Sequence, residues 1–290
     1  MFPALKEFPF LPCRFFPVRS LLVTCLILLY AAGIPLSAFS AERFSGELND
    51  IKGMVEVLKR SQKKWFKAIN GLPVQLYDQI RTGEDSSCVV ELDDGSLIFV
   101  DANTHTSLRS LEITAEKHDS KLLLMVGRVV ASIARKKNTK MKIRTPVSVG
   151  AVRGTEFAVA TDGKAANIGV FEGQVAVKSV TDASSDSDED SPAGEVLVNP
   201  DEETSVAQGS TPSMPSPLQE LMLRNKERMA QLRGRVQELR ERLKRVPPEE
   251  LQAARSKTLE RFRQIKEERQ ELREKTRQER ERIKPRKTTP

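Results

Sequence analysis

Histidine, cysteine and the large aromatics are scarce in these 290 residues, and each scarcity narrows what the chain can do. The two histidines, His105 and His118, stand apart from Cys88 and from any acidic pair at ligand spacing, so no zinc pattern forms. A glycine-rich phosphate loop and a nucleophile elbow are both missing. Paired carboxylates such as Asp93-Asp94 lie in turn-like sequence, where acidic residues are common for conformational reasons. The expectation is a protein that is not an enzyme, with no catalytic residue, no cofactor and no metal. Cysteine is confined to Cys13, Cys25 and Cys88, and removal of the N-terminal segment would leave Cys88 alone, excluding an intramolecular disulfide.

Long apolar runs are also lacking. The best, Leu21–Leu36, is shorter than the ~20 residues of a spanning helix and carries Gly33 and Pro35 near its end. Lys6, Arg14 and Arg19 precede it, and small residues at Ala38 and Ser40 follow. That is the layout of a secretory signal over 1–40, with cleavage before Ala41. An exported, periplasmic protein is expected; an uncleaved N-terminal anchor is the competing reading.

What is present is charge, unevenly placed. Residues 217–290 carry a net +10, whereas residues 41–216 carry −5. A basic tail and an acidic body answer to different partners.

Residues 41–206 hold no helical apolar period longer than ten residues. Short strand patterns dominate: Gly53–Leu58, Cys88–Leu92, Leu97–Val100, Leu122–Val126 and Val129–Ile133, the last two separated by Gly127-Arg128. Val147–Val177 alternates through three more runs, with Asp162-Gly163 and Glu172-Gly173 as turn signals. Asp94-Gly95 between apolar runs predicts a hairpin with a type I′ turn. The fold class expected is mainly β, as a sandwich, barrel or short coiled sheet. Residues 181–194 are acidic and Ser-rich; lacking the glycine and terminal glutamate of a calcium loop, they read as a solvated, flexible insertion.

Two separated groups of residues carry a resemblance. The first runs through Asp78, Arg81, Thr82 and Gly83, then Asp94, Gly95 and Ser96, then Asn103-Thr104. The second runs through Gly127-Arg128-Val129 and Thr145-Pro146 to Arg153, Gly154, Thr155, Glu156 and Phe157, ending at Glu172-Gly173. Their order and spacing over about 45–200 resemble the FecR domain family. One departure is Tyr77, where the family usually has glycine. The resemblance implies an extracytoplasmic β-rich domain, which in founding members relays signals from an iron-siderophore receptor to a sigma factor through a cytoplasmic anti-sigma segment. Twenty residues precede the apolar run here, too few for such a segment, so the module is expected without that arm. From the residues themselves, the motif glycines suit turns or bulges. Arg153 and Glu156 could pair with each other or across the sheet, and Phe157 should enter the core.

After a Pro/Ser linker over 207–217, Leu218, Met222, Asn225, Met229, Leu232, Val236, Leu239 and Leu243 recur at alternating steps of four and three. That is a heptad seam over 218–246 with one buried asparagine, a device that sets register and oligomer state. Pro247-Pro248 starts a second, charged helix over 247–284, with a disordered end at 285–290. The seam predicts helix pairing, as a hairpin within the chain or a coiled coil between chains. The basic surface offers a second partner class, an anionic envelope polymer. Nucleic acid is not expected, since stacking aromatics are nearly absent from the tail. Taken together, the residues predict an exported, non-enzymatic binding or scaffold protein of the envelope, with a protein partner engaged through the C-terminal helices. The alternative is a component of an iron-siderophore-type signalling pathway.

Overall fold

The computed structural model describes residues 45–113, 118–135, 139–180 and 194–283. The expected signal segment, the acidic insertion up to residue 193 and the C-terminal end fall outside them.

One strand organises the β domain. β9 (His118–Ser132) runs fifteen residues and belongs to two sheets in turn. Its first half pairs antiparallel with β8 (His105–Ile113) and parallel with β10 (Thr139–Arg144). Its second half pairs with β7 (Leu97–Val100) and β12 (Glu156–Thr161). The sequence pattern reads this stretch as two strands; β9 instead slips register against β8 at Met125, between Leu124 and Val126, and Gly127 follows at φ +102°, a bulge that redirects the strand without ending it.

The first sheet is completed by β6 (Ser87–Leu92), β1 (Gly46–Lys52) and β4 (Leu72–Val74) on one side of β7. On the other side of β12 lie β13 (Ala165–Glu172), β16 (Glu202–Ala207) and β17 (Ser216–Pro217). The second sheet adds β5 (Gln79–Thr82), β2 (Val55–Leu58) and β3 (Phe66–Lys67) beyond β8. Beyond β10 it adds β11 (Ser148–Val152), β14 (Val175–Ser179) and β15 (Val196–Val198). Alternate residues of both sheets meet in one core containing Val90, Ile98, Val129, Phe157, Ile168, Val57, Ile80, Leu124 and Ile143. The result is a two-sheet sandwich followed by helices α1 (Glu220–Arg245) and α2 (Pro248–Ile283). None of the helices among the described residues is long and apolar enough to cross a membrane.

Two turns differ from their sequence reading. At Asp94-Gly95 only Gly95 has positive φ, and Gly95 N–H donates to Leu92 O while Leu92 N–H donates to Ser96 O. That is a type I turn closed by a glycine bulge, not type I′. Glu172-Gly173 does not join paired strands: β13 lies in the first sheet and β14 in the second, so the chain crosses between sheets there. The expected Pro/Ser linker is also pinned along β16. Ser213 N–H donates to Ser205 O (2.8 Å) and Thr204 Oγ1 donates to Ser213 O (2.7 Å).

Cys88 is fully buried, and burial pushes its thiol up to about 12. The thiolate is the reactive form. Native protein at pH 8 should therefore leave a thiol-specific disulfide reagent unreacted at Cys88, with release only on unfolding; prompt reaction of the folded chain would contradict the packing.

Candidate functional site: the docked helical arm and its elbow

The alternation of the first sheet gives it a second apolar face. Val89, Leu97, Phe99, Val130, Ala158 and Phe171 point away from the core and are nonetheless buried. α1 covers them. Its seam residues Met222, Met229, Val236 and Leu239 are buried in this second cluster, with Leu218, Leu232 and Leu243 packed at its margin. Asn225 is buried in the same row, its amide 3.6 Å from Met222 Sδ. The heptad seam expected to pair helices thus meets a β-sheet instead, because the sheet already presents an apolar stripe at the width the seam offers. Gly169 marks the closest approach: a Cβ there would lie 2.8 Å from Met222 Cγ. Each buried seam side chain contributes about 1.5–3 kcal/mol.

Charge aligns with this packing. Glu91 and Glu156 sit on the same outer face as Val89 and Ala158, so they meet the arm's arginines. Arg233 Nη2 donates to Glu156 Oε2 (2.8 Å), which takes Glu156 away from the expected Arg153 partner; Arg153 is exposed. Arg235 Nε donates to Glu91 Oε1 (2.7 Å), Nη2 lies on the same oxygen (2.7 Å) and Nη1 reaches Asp50. Arg242 Nη2 bridges Glu47 Oε1 (2.7 Å) and Glu91 Oε2 (2.8 Å). On α2, Arg255 is only 4% exposed and its Nη1 lies 2.6 Å from Asp93 Oδ1. Burial raises the Asp93 carboxyl above its ordinary range, with Arg255 pulling the other way. Part of the +10 of the tail is therefore spent on the −5 of the body. Leu259 and Phe262 complete the α2 contact, the Phe262 ring lying 4.9 Å from that of Phe66.

Glu91 is the hub, nearly buried and bonded to two arginines and to Asn49 Nδ2 (3.0 Å). Glu91→Ala should cost about 2–3 kcal/mol, less than a fully buried pair because Arg235 and Arg242 are part-exposed and keep Asp50 and Glu47. Urea unfolding measures it; a change within about 0.5 kcal/mol, the range of ordinary surface substitutions, would mean the clamp is ornamental.

The family-motif residues bracket β9. At the bulge, Thr82 Oγ1 accepts from Thr104 N–H (2.9 Å), and Thr104 Oγ1 accepts from Arg128 N–H (3.0 Å). Gly83 N–H donates to Met54 O (2.9 Å). Asp78 is 0% exposed; it accepts from Lys59 Nζ (2.6 Å), Gln75 N–H (2.8 Å) and Arg60 N–H (3.2 Å). Tyr77 holds φ +69°, the left-handed region that explains why glycine suits this position. Arg81 lies over the Trp65 ring and bonds Glu56, beside His105, whose pKa burial lowers with help from Arg81. Past the C-terminal end of β9, Ser96 Oγ accepts from Ala134 N–H (3.0 Å), Asp94 Oδ1 accepts from Ser96 N–H (2.7 Å) and Ile133 N–H donates to Thr155 O (2.9 Å). A Cβ on Gly154 would meet Arg135 Cβ at 2.7 Å, and one on Gly173 would meet Thr155 Cγ2 at 2.9 Å. Phe157 is fully buried. Of the motif positions, Arg153 and Glu172 are exposed, Arg81 and Glu156 make ion pairs with Glu56 and Arg233, and the others shape turns, strand ends or core.

At this second end, the Asp93–Gly95 turn, Ala134-Arg135 and the α1–α2 elbow enclose a cleft of about 900 Å³. Sequence reasoning missed it, because it forms only once the arm folds back. The second half of α2 is different again: past Phe262 no described side chain is buried, and Leu272 is 66% exposed.

Residues 78–176 match the family model described as FecR protein, about a third of the chain. The match is shorter than the 45–200 expected from the motifs. No curated protein matches. Two solved structures of a protein assigned as an anti-sigma factor of Parabacteroides distasonis share 18% identity over 48% of this chain, with a TM-score of 0.37. The chain spans 59% of the length of those chains.

Proposed function

With residues 78–176 a FecR domain, we propose that the chain is an exported, non-enzymatic binding protein of the cell envelope. Its β domain acts as a platform that holds α2 out toward a protein partner. One observation carries this reading: a 36-residue helix is held at its N-terminal end by Arg255, Leu259 and Phe262, and past Phe262 none of its described side chains is buried. A helix polar all round gains only about 0.2–0.5 kcal/mol from each i,i+4 pair. Its length is better accounted for by something that reads it. The family supports a second reading in the same compartment, a signalling component whose state is passed to a separate membrane partner.

A photo-cross-linker at position 272 tests the first reading, used in intact envelopes beside the same probe at Met214, an exposed loop residue. A discrete adduct from 272 and none from 214 is expected. No adduct from 272, or equal labelling from both, would contradict it. A receptor or sigma-regulating membrane protein in the adduct would favour signalling.

A further inference from the structure

We propose that the elbow cleft binds a long-chain carboxylate, a single negative charge on an aliphatic body. This stands whether or not α2 takes a protein partner. Arg233, Arg235, Arg242 and Arg255 all close on carboxylates of the body. Arg240 does not. It is half-buried, and its Nε and Nη2 donate to neutral oxygens, Gly95 O (3.2 Å) and Ser132 Oγ (3.3 Å). Arg135, also in the lining, is exposed and makes no ion pair among the described residues. A half-buried guanidinium bonded only to neutral oxygens, in a cleft whose lining also holds the unpaired Arg135, is a place prepared for an anion.

The rest of the lining says what kind. Leu243, Val246, Pro248 and Leu251 supply an apolar wall, none of them fully buried in the protein. About 900 Å³ falls within the range of small-molecule sites. Asp93, Asp94 and Glu249 line the cleft beside Arg135, Arg240 and Lys244, so the formal charges balance, and Lys244 and Asp93 are already paired with Glu241 and Arg255. A single negative charge on Arg240 suits this lining better than a dianion such as a phosphate. A peptide is disfavoured on other grounds. Gln252, the one neutral polar side chain in the lining, already donates to Asp93 Oδ2, and Gly95 O is occupied by Arg240. Few side-chain partners would therefore remain for a peptide's own N–H and C=O groups, whereas an aliphatic chain needs none.

Isothermal titration of the purified full chain with dodecanoate and with dodecanol tests this. One saturable dodecanoate site per chain is expected, with dodecanol about tenfold weaker, the size of one lost charge-assisted hydrogen bond. Arg135→Gln, a surface change that leaves the fold intact by circular dichroism, should weaken dodecanoate by a similar factor and leave dodecanol unchanged. Arg240→Gln should do the same, and Leu251→Glu should remove both. Equal affinity for acid and alcohol, indifference to Arg135→Gln, or no saturable binding would overturn the proposal. So would a peptide with an apolar C-terminus that binds where dodecanoate does not.

Discussion

Replacing Met229 by aspartate detaches α1 from the sheet it covers. Met229 is 0% exposed and lies in the cluster formed with Phe99, Val130 and Ala158. Truncating such a methionine costs about 2–5 kcal/mol, and a carboxylate left there without a partner adds its desolvation. The expected result is loss of helical protection across 220–245, binding of a hydrophobic dye to the bared Val89–Phe99 face, and a fall of more than about 4 kcal/mol in unfolding free energy. Ala230→Asp, one residue on and exposed, should change stability by no more than about 0.5 kcal/mol. Equal effects at the two positions would mean the seam faces solvent or another chain.

Gly127→Ala should be as damaging, by a different route. A Cβ at residue 127 would lie 2.3 Å from Thr104 Oγ1 and 2.4 Å from Thr104 Cα. The second atom is backbone, so no rotamer change relieves the clash, and φ of +102° strains any side chain. Because β9 changes sheets at this residue, the two halves of the sandwich lose their common strand together. A cost above about 4 kcal/mol, or no folded protein, is expected. A loss below about 1 kcal/mol in urea would show that the bulge tolerates a side chain and that β9 is not the organising strand.

How far the sequence discloses this depends on the range of the signal. Local signals were legible. Short apolar runs located β6 and β7, period-two runs located β12 and β13, and the step of four and three located α1 with its buried row. The motif glycines marked real left-handed turns at Gly95, Gly154 and Gly173. What failed was partnership. A heptad seam states which residues will be buried and says nothing of whether a helix or a sheet buries them. The sign that a sheet would do so was present in Cys88-Val89-Val90 and Leu97–Val100, unbroken apolar runs of the sort found where both faces of a strand are covered. Gly169 inside a strand pointed the same way. The opposite charges of body and tail were readable as numbers, but their contacts span 77 residues at Arg233–Glu156 and 195 at Arg242–Glu47. No local pattern reaches that far. Gly127-Arg128 misled because a glycine bulge and a turn share the same residue preference.

The central claim is that the helical arm is part of the folded domain, sealed on the outer face of the first sheet by its seam and by the Glu91 clamp. Native-state hydrogen exchange measures this residue by residue. If the claim holds, amides from Met222 to Leu239 exchange as slowly as those of β7 and β12, through global unfolding, while those beyond Phe262 exchange orders of magnitude faster. Rapid exchange along the whole of α1, at the rate of an isolated helix, would contradict it.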